Sequence, residues 1–246
     1  MKTKYNMAAI ITGLIIILLG VCMVLVDIFS LQTVTHVWIS IGCSLIASGL
    51  VIVLNALLVN KIPYNPLDEW GIEKIYETRA EKNKDSDPKL VDVEHCIDAV
   101  AFGLSSFRNK HTKEITECLE RGVQIRILTM DPQGSFVEQR SREENEVPEQ
   151  IRHTINQLID WADQLNDKGY KGKIIVKAYS CMTLDFYWRM DGELYVGPYW
   201  YGVKSQQTIT YKFVEGKAGF KQFSKYFEDL WDDNSMKVLT KVKQFD

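Results

Sequence analysis

Residues 97–132 read IDAVAFGLSSFRNKHTKEITECLERGVQIRILTMDP, and this stretch decides the fold. Its opening, 97–104 (IDAVAFGL), is short, apolar and closed by Ser105-Ser106, as expected of a buried strand. Residues 109–121 read as a helix that stops at Gly122, the residue type that most readily takes the left-handed conformation after a helix end. A second apolar run, 123–130 (VQIRILTM), follows, and Asp131-Pro132-Gln133-Gly134 turns out of it. Strand, helix and strand with short connections predict a right-handed βαβ unit in a parallel sheet.

Downstream, the polar stretch 139–149 leads to a helix with Ile151, Ile155, Leu158, Ile159, Ala162 and Leu165 on one face, ended by Gly169 and Gly172. Residues 173–179 (KIIVKAY) form a third strand. Segments 184–190 and 193–197 flank Asp191-Gly192, a pair suited to the type I′ turn of a β-hairpin. One more strand, 208–214, precedes a closing helix whose Phe220, Phe223, Tyr226, Phe227, Leu230 and Trp231 share one side, a core stripe. Upstream, Ser86-Asp87-Pro88 starts a short helix, with proline where the missing N–H costs nothing. Leu67, Trp70, Ile72, Ile75, Tyr76 and Arg79 fall at near-helical spacing and predict a connecting helix over 67–83. Pro63 and Pro66 stiffen the linker before it. The fold class is α/β with a central mixed sheet.

The N-terminal quarter belongs to a different solvent. Residues 1–59 contain only Lys2, Lys4 and Asp27 as formal charges, leaving 27 of the 29 basic and 31 of the 32 acidic residues downstream. Segments 7–26 and 37–59 are uncharged and long enough to cross the ~30 Å hydrocarbon core of a bilayer. A cleaved signal peptide is the competing reading of the first, since Lys2 and Lys4 resemble an n-region. Its apolar stretch exceeds the ~7–15 residues of a signal core, and a second span follows at once. With Lys2 and Lys4 before the first span, Lys61 after the second and no Lys or Arg between them, both termini are expected inside, in a bacterial inner membrane. Ser40, Ser44 and Ser48 form a small-residue stripe expected to pack transmembrane helices, as in a homo-oligomer. The expected division is a hairpin over 1–59, a linker and connecting helix over 60–87, and the α/β domain over 88–246.

Composition narrows the function classes. Six Trp, 11 Tyr and 10 Phe exclude disorder, and the acidic balance gives no general nucleic-acid-binding surface. Cys22, Cys43, Cys96, Cys118 and Cys181 form no CxxC pair, and no HExxH or His–Cys cluster occurs, so neither metal nor cofactor is expected. An embedded proton relay is unsupported, because no ionisable residue is embedded in the spans beyond Asp27 at the loop edge.

Across 67–233 the order of elements, with AFGLSSF…ECLERGVQIRILTMDP and the later RMDGELYVGPY, resembles the phospholipase D-like superfamily. The resemblance implies an H-x-K-x4-D motif whose His attacks phosphorus and whose Lys holds the phosphate. Aligning Asp191 with the final Asp places Phe186 at the Lys and Leu184 at the His, so the motif is degenerate and no catalytic residue is assigned. His111-Thr112-Lys113 is an H-x-K elsewhere, but Cys118 stands where the Asp would, and a surface helix pair is the simpler reading.

A fold retained without its motif leaves a crevice for a phosphate-bearing ligand. Ser105 and Ser106 lie beyond the first strand, where open α/β sheets bind ligands, and Arg140 and Arg142 follow the second. Tyr199, Tyr201, Lys204, Ser205, Gln206 and Gln207 offer stacking, charge and hydrogen bonds, and Asp191 completes the candidate set. The expected function is a membrane effector whose cytosolic domain binds a nucleotide-like ligand or regulatory protein and drives assembly of the spans. That layout resembles bacterial anti-phage effectors. The alternative is a membrane-bound phosphodiesterase or nuclease with an unconventional site.

Overall fold

The structure, a computed structural model, describes all residues except 1–3, 6, 30–36, 59–60, 63–65, 182–184, 243 and 245–246. The chain divides into two compact units, Met1–Pro66 and Leu67–Asp246.

In the first unit, helices α1 (Met7–Phe29) and α2 (Val37–Leu58) form a hairpin, and β1 (Lys4–Tyr5) pairs antiparallel with β2 (Lys61–Ile62). Both helices are long and apolar enough to cross a membrane. Their large side chains point outward: Leu18 is 65% and Val51 63% exposed, whereas Gly13, Gly20, Gly42, Gly49 and Ala56 are buried. A Cβ on Gly20 would stand 2.6 Å from the Gly42 carbonyl oxygen, and one on Gly49 2.7 Å from that of Gly13. The two backbones therefore meet directly, the contact that helices use when lipid removes any hydrophobic drive. Ser40, Ser44 and Ser48 lie off this seam on exposed positions, and Ser44 Oγ donates to the Ser40 carbonyl at 2.9 Å. A serine still carries the Cβ that so close an approach excludes.

The second unit is built on one eight-stranded sheet. Its strands are β3 (Ile72–Tyr76), β4 (Cys96–Val100), β5 (Gln124–Met130), β6 (Ile174–Tyr179), β7 (Phe186–Met190), β8 (Glu193–Gly197), β9 (Thr210–Val214) and β10 (Lys237–Val238), in the order β10-β6-β5-β4-β7-β8-β9-β3. Strands β4, β5 and β6 are parallel and all other pairs antiparallel, so the expected βαβ unit seeds a mixed sheet. Helix α5 (Ser105–Arg121) makes the first crossover, and α6 (Phe136–Glu144) with α7 (Pro148–Asn166) makes the second. Ile115 and Leu119 of α5 and Leu158 and Ala162 of α7 cover one face of the sheet, and Phe220, Phe227 and Trp231 of α8 (Ala218–Trp231) cover the other.

Three segments differ from expectation. The single helix over 67–83 is instead α3 (Pro66–Trp70), strand β3 and α4 (Arg79–Ser86), because Gly71 at φ 73° breaks the run and β3 pairs with β9. That pairing places residues 72–76 in the sheet. Helix α6 overlaps the polar stretch before α7, where buried Arg140 is paired along the helix with Glu143 and Glu144. At the β7–β8 turn only Asp191 has positive φ (47°), so the turn is not type I′. Its carboxylate instead accepts N–H bonds from Glu94, His95 and Cys96 at 2.8–3.0 Å, tying the hairpin to the start of β4.

The sheet centre holds a buried ion-pair network. Arg126 of β5 binds both oxygens of fully buried Asp98 on β4 at 2.6 and 2.9 Å, and both oxygens of Glu228 on α8 at 2.7 and 2.6 Å. Removing one partner leaves the other charge uncompensated, a loss of about 3–5 kcal/mol. Arg126→Met should therefore lower unfolding free energy by about that much in urea. In the first unit, Gly20→Leu should separate the helices and change migration on detergent gels, while Ser44→Leu leaves it unchanged.

Candidate cationic cavity

A cavity of about 830 Å³ opens between α4, the 3-10 turn Asp87–Asp92, the first turns of α5, strand β7 and the segment 199–206. Helix α4 is positioned by a local signal: Thr78 is extended and its Oγ1 accepts the Glu81 N–H at 3.2 Å, while Glu81 Oε2 accepts the Glu77 N–H at 3.2 Å. Arg79 and Lys82, three residues apart, then share one helix face. Both are buried, at 3% and 2% exposure, and both line the cavity.

Neither cation has a carboxylate at ion-pair distance among the described residues. The Arg79 guanidinium lies 3.9 Å from the Phe186 ring centre and 4.7 Å from that of Tyr199, and Nη2 donates to Thr208 Oγ1 at 2.9 Å. Its Nε has no partner. Lys82 Nζ stands 4.8–5.6 Å from the ring centres of Tyr195, Trp188 and Phe186 and reaches one oxygen, Asn83 Oδ1, at 3.5 Å. Burial drives the Lys82 amine down to about 7, Asp87 opposing this and Arg79 adding to it. Burial lowers Arg79 as well. Glu193 is committed elsewhere. Its own burial is outweighed by bonds from Lys89, Tyr195 and Lys212, at 2.7–2.9 Å, which hold its carboxyl at about 2.

The start of α5 also lines the cavity. Its N-cap, Leu104, is left-handed at φ 48° and supplies no side-chain hydrogen bond, and the first turn holds no acidic residue. A helix start in this state presents unfilled N–H groups and the positive end of the dipole. Ser105, Ser106, Phe107 and Lys110 line the cavity there.

Of the residues singled out from the sequence, Ser105, Ser106, Tyr199, Ser205 and Gln206 line this cavity. Gln206 accepts from Asn83 at 3.3 Å, and Ser205 donates to Glu144. Arg140 is fully buried but outside the lining, paired with Glu143 at 3.0 Å and with Glu144. Lys204 is an exposed partner of Glu146 at 3.4 Å, Tyr201 is 81% exposed, and Gln207 faces solvent. Asp191 closes the β7–β8 turn described above. Leu184 lies outside the described residues, while Phe186 is the buried ring beneath Arg79.

Arg79 and Lys82 were not legible in the sequence, because charges in a helical stretch ordinarily face water; Lys110 and Trp188 carry no local signal either. The sequence reads His111 as a surface residue. The His111 side chain is largely buried on the cavity wall, its Nε2 3.0 Å from Asp87 Oδ2, at a kink where φ is −122°. Lys113, its companion in the H-x-K triplet, is 86% exposed and paired with Glu117. Among the described residues no group of three or more His, Cys, Asp or Glu is placed to hold a metal.

No family model and no curated protein matches the chain. Among the solved structures that match it are two distant ones. The archaeal chromatin protein TrmBL2, described as showing a novel mode of DNA binding, aligns at a TM-score of 0.41 with 13% identity over 80% of this chain. The chain covers 64% of that protein's length. NucT from Helicobacter pylori aligns at 0.40 with 11% identity, over 67% of this chain and 97% of NucT.

The amine of Lys82 allows a signed stability test. Because it loses its proton near 7 when folded and near 10.5 when unfolded, the unfolded chain binds more protons in between. Stability should rise with pH across that window. Lys82→Met should abolish the rise and raise unfolding free energy below pH 7 by about 2 kcal/mol or more, measured by urea titration at pH 6, 8 and 10.

Proposed function

We propose that this chain is a membrane-anchored receptor whose α/β unit binds a phosphate-bearing, nucleotide-like ligand in the cationic cavity. One observation carries the reading: Arg79 and Lys82 are held out of water, with no carboxylate at ion-pair distance among the described residues, in the wall of a cavity large enough for such a ligand. An incoming phosphate would supply the missing counter-charge, the start of α5 would meet it as well, and Phe107, Trp188 and Tyr199 offer ring faces for a base. The apolar hairpin anchors the unit in a membrane, with both termini cytoplasmic by the distribution of Lys2, Lys4 and Lys61. Ligand occupancy would then act on assembly of the chains.

Phospholipase D-like ancestry fits this reading. The cation absent at Phe186 is met in space by Arg79, which stacks on the Phe186 ring from α4. The cavity would thus keep a phosphate seat while losing the strand-borne motif.

A second reading, a phosphodiesterase with an unconventional site, is favoured by the Asp87–His111 pair on the same wall. Calorimetry of the detergent-solubilised chain against a panel of nucleotides separates the two. The receptor reading expects binding without turnover, at least tenfold weaker in Arg79→Ala. It also expects proton uptake on binding, with affinity falling as pH rises above 7. Turnover that His111→Ala abolishes would establish the hydrolase, and absence of nucleotide binding at any pH would remove the receptor.

A further inference from the structure

The geometry points to Lys82 as a nucleophilic amine that forms an imine with a carbonyl compound carrying an anionic group. This goes beyond reversible anion binding and rests on the receptor reading only for the seat of the anion. Three observations converge. Lys82 is 2% exposed yet lines the cavity, so small molecules approach it from inside and not from the surface. Its Nζ faces the rings of Tyr195, Trp188 and Phe186, and its one oxygen contact, Asn83 Oδ1 at 3.5 Å, is too long to hold an ammonium tightly. Arg79, three residues earlier on the same helix, is a second buried cation, an arrangement that disfavours protonation of the amine.

The groups acting on Lys82 are Asp87, Asp85 and Glu193, which favour its ammonium form, and Arg79, which opposes it. Glu193 is held by Lys89 and Lys212, and Asp85 accepts from the Tyr76 hydroxyl, so these carboxylates are engaged by other donors. Burial prevails, and a large share of the amine is neutral at neutral pH, whereas a solvated lysine is neutral in only about one molecule per thousand.

The chemistry balances without a redox partner. The Nζ lone pair adds to the carbonyl carbon while the C–O π pair moves onto oxygen. A proton passes from nitrogen to that oxygen, and the carbinolamine expels water to leave a C=N bond. Arg79, still charged, would hold the anionic end of the molecule.

The test uses the full detergent-solubilised chain at pH 7.5 with pyridoxal 5′-phosphate and, separately, pyridoxal. Borohydride reduction is followed by peptide mapping. Lys82 should be labelled at least tenfold faster than exposed Lys113, Lys204 and Lys225, the phosphorylated aldehyde reacting faster than pyridoxal. Lys82→Arg should lose that label alone, and Arg79→Ala should remove the advantage of the phosphate while leaving the reaction with pyridoxal. Labelling confined to exposed lysines with both aldehydes overturns the proposal. If pyridoxal 5′-phosphate binds by calorimetry but leaves no adduct on Lys82, the anion site stands and the reactive amine falls. Equal labelling of Lys82 by the two aldehydes would instead support the amine and count against the anion seat.

Discussion

Taking an ammonium or guanidinium out of water costs several kcal/mol unless an anion comes with it. The domain meets that constraint in two ways. Arg126, Arg140 and Lys212 are buried or nearly so and each faces two carboxylates: Asp98 and Glu228, Glu143 and Glu144, and Glu73 and Glu193. Arg79 and Lys82 are buried as deeply and face aromatic rings. Ring faces return part of the lost hydration, on the order of 2 kcal/mol for a desolvated cation, which leaves a deficit that an arriving anion would fill.

The rest of the domain serves to hold the two cations in place. Parallel strands β4 to β6 carry α5, whose uncapped start lines the same cavity as α4. The antiparallel half brings Phe186, Trp188 and Tyr195 beneath the cations on β7 and β8. Strand β3 closes the far edge and delivers the chain into α4. Segment 199–206 is tied to α6 through Arg140, Glu144, Ser205 and the bond from Gly202 N–H to Glu143. Arg140 therefore supports the rim without lining the cavity.

The α/β class, the parallel βαβ unit, the Asp191-Gly192 hairpin and the two apolar helices were legible because each rests on local patterning: a strand-length apolar run, a helix-ending glycine, a turn pair, an uncharged span. Strand β3 was not, because Ile72, Ile75 and Tyr76 satisfy a helical period as well as a strand, and its pairing with β9 is made across the whole domain. The glycine seam of the hairpin escaped for a related reason, since residues 20 and 42 become neighbours only after the chain folds back. Five of the lining residues, Ser105, Ser106, Tyr199, Ser205 and Gln206, were found from the segment after β8 and the start of α5. The two buried cations were hidden, because RAEKNKDS reads as a solvated helix until tertiary contacts turn Arg79 and Lys82 inward.

The claim at the centre is that Lys82 is a desolvated cation awaiting an anion. Its Nζ protonation can be followed directly by NMR of the isotopically labelled full-length protein, with and without inorganic phosphate. The account predicts a midpoint near pH 7 in the free protein, displaced upward when phosphate is added. A midpoint near 10.5 that phosphate does not move would contradict it.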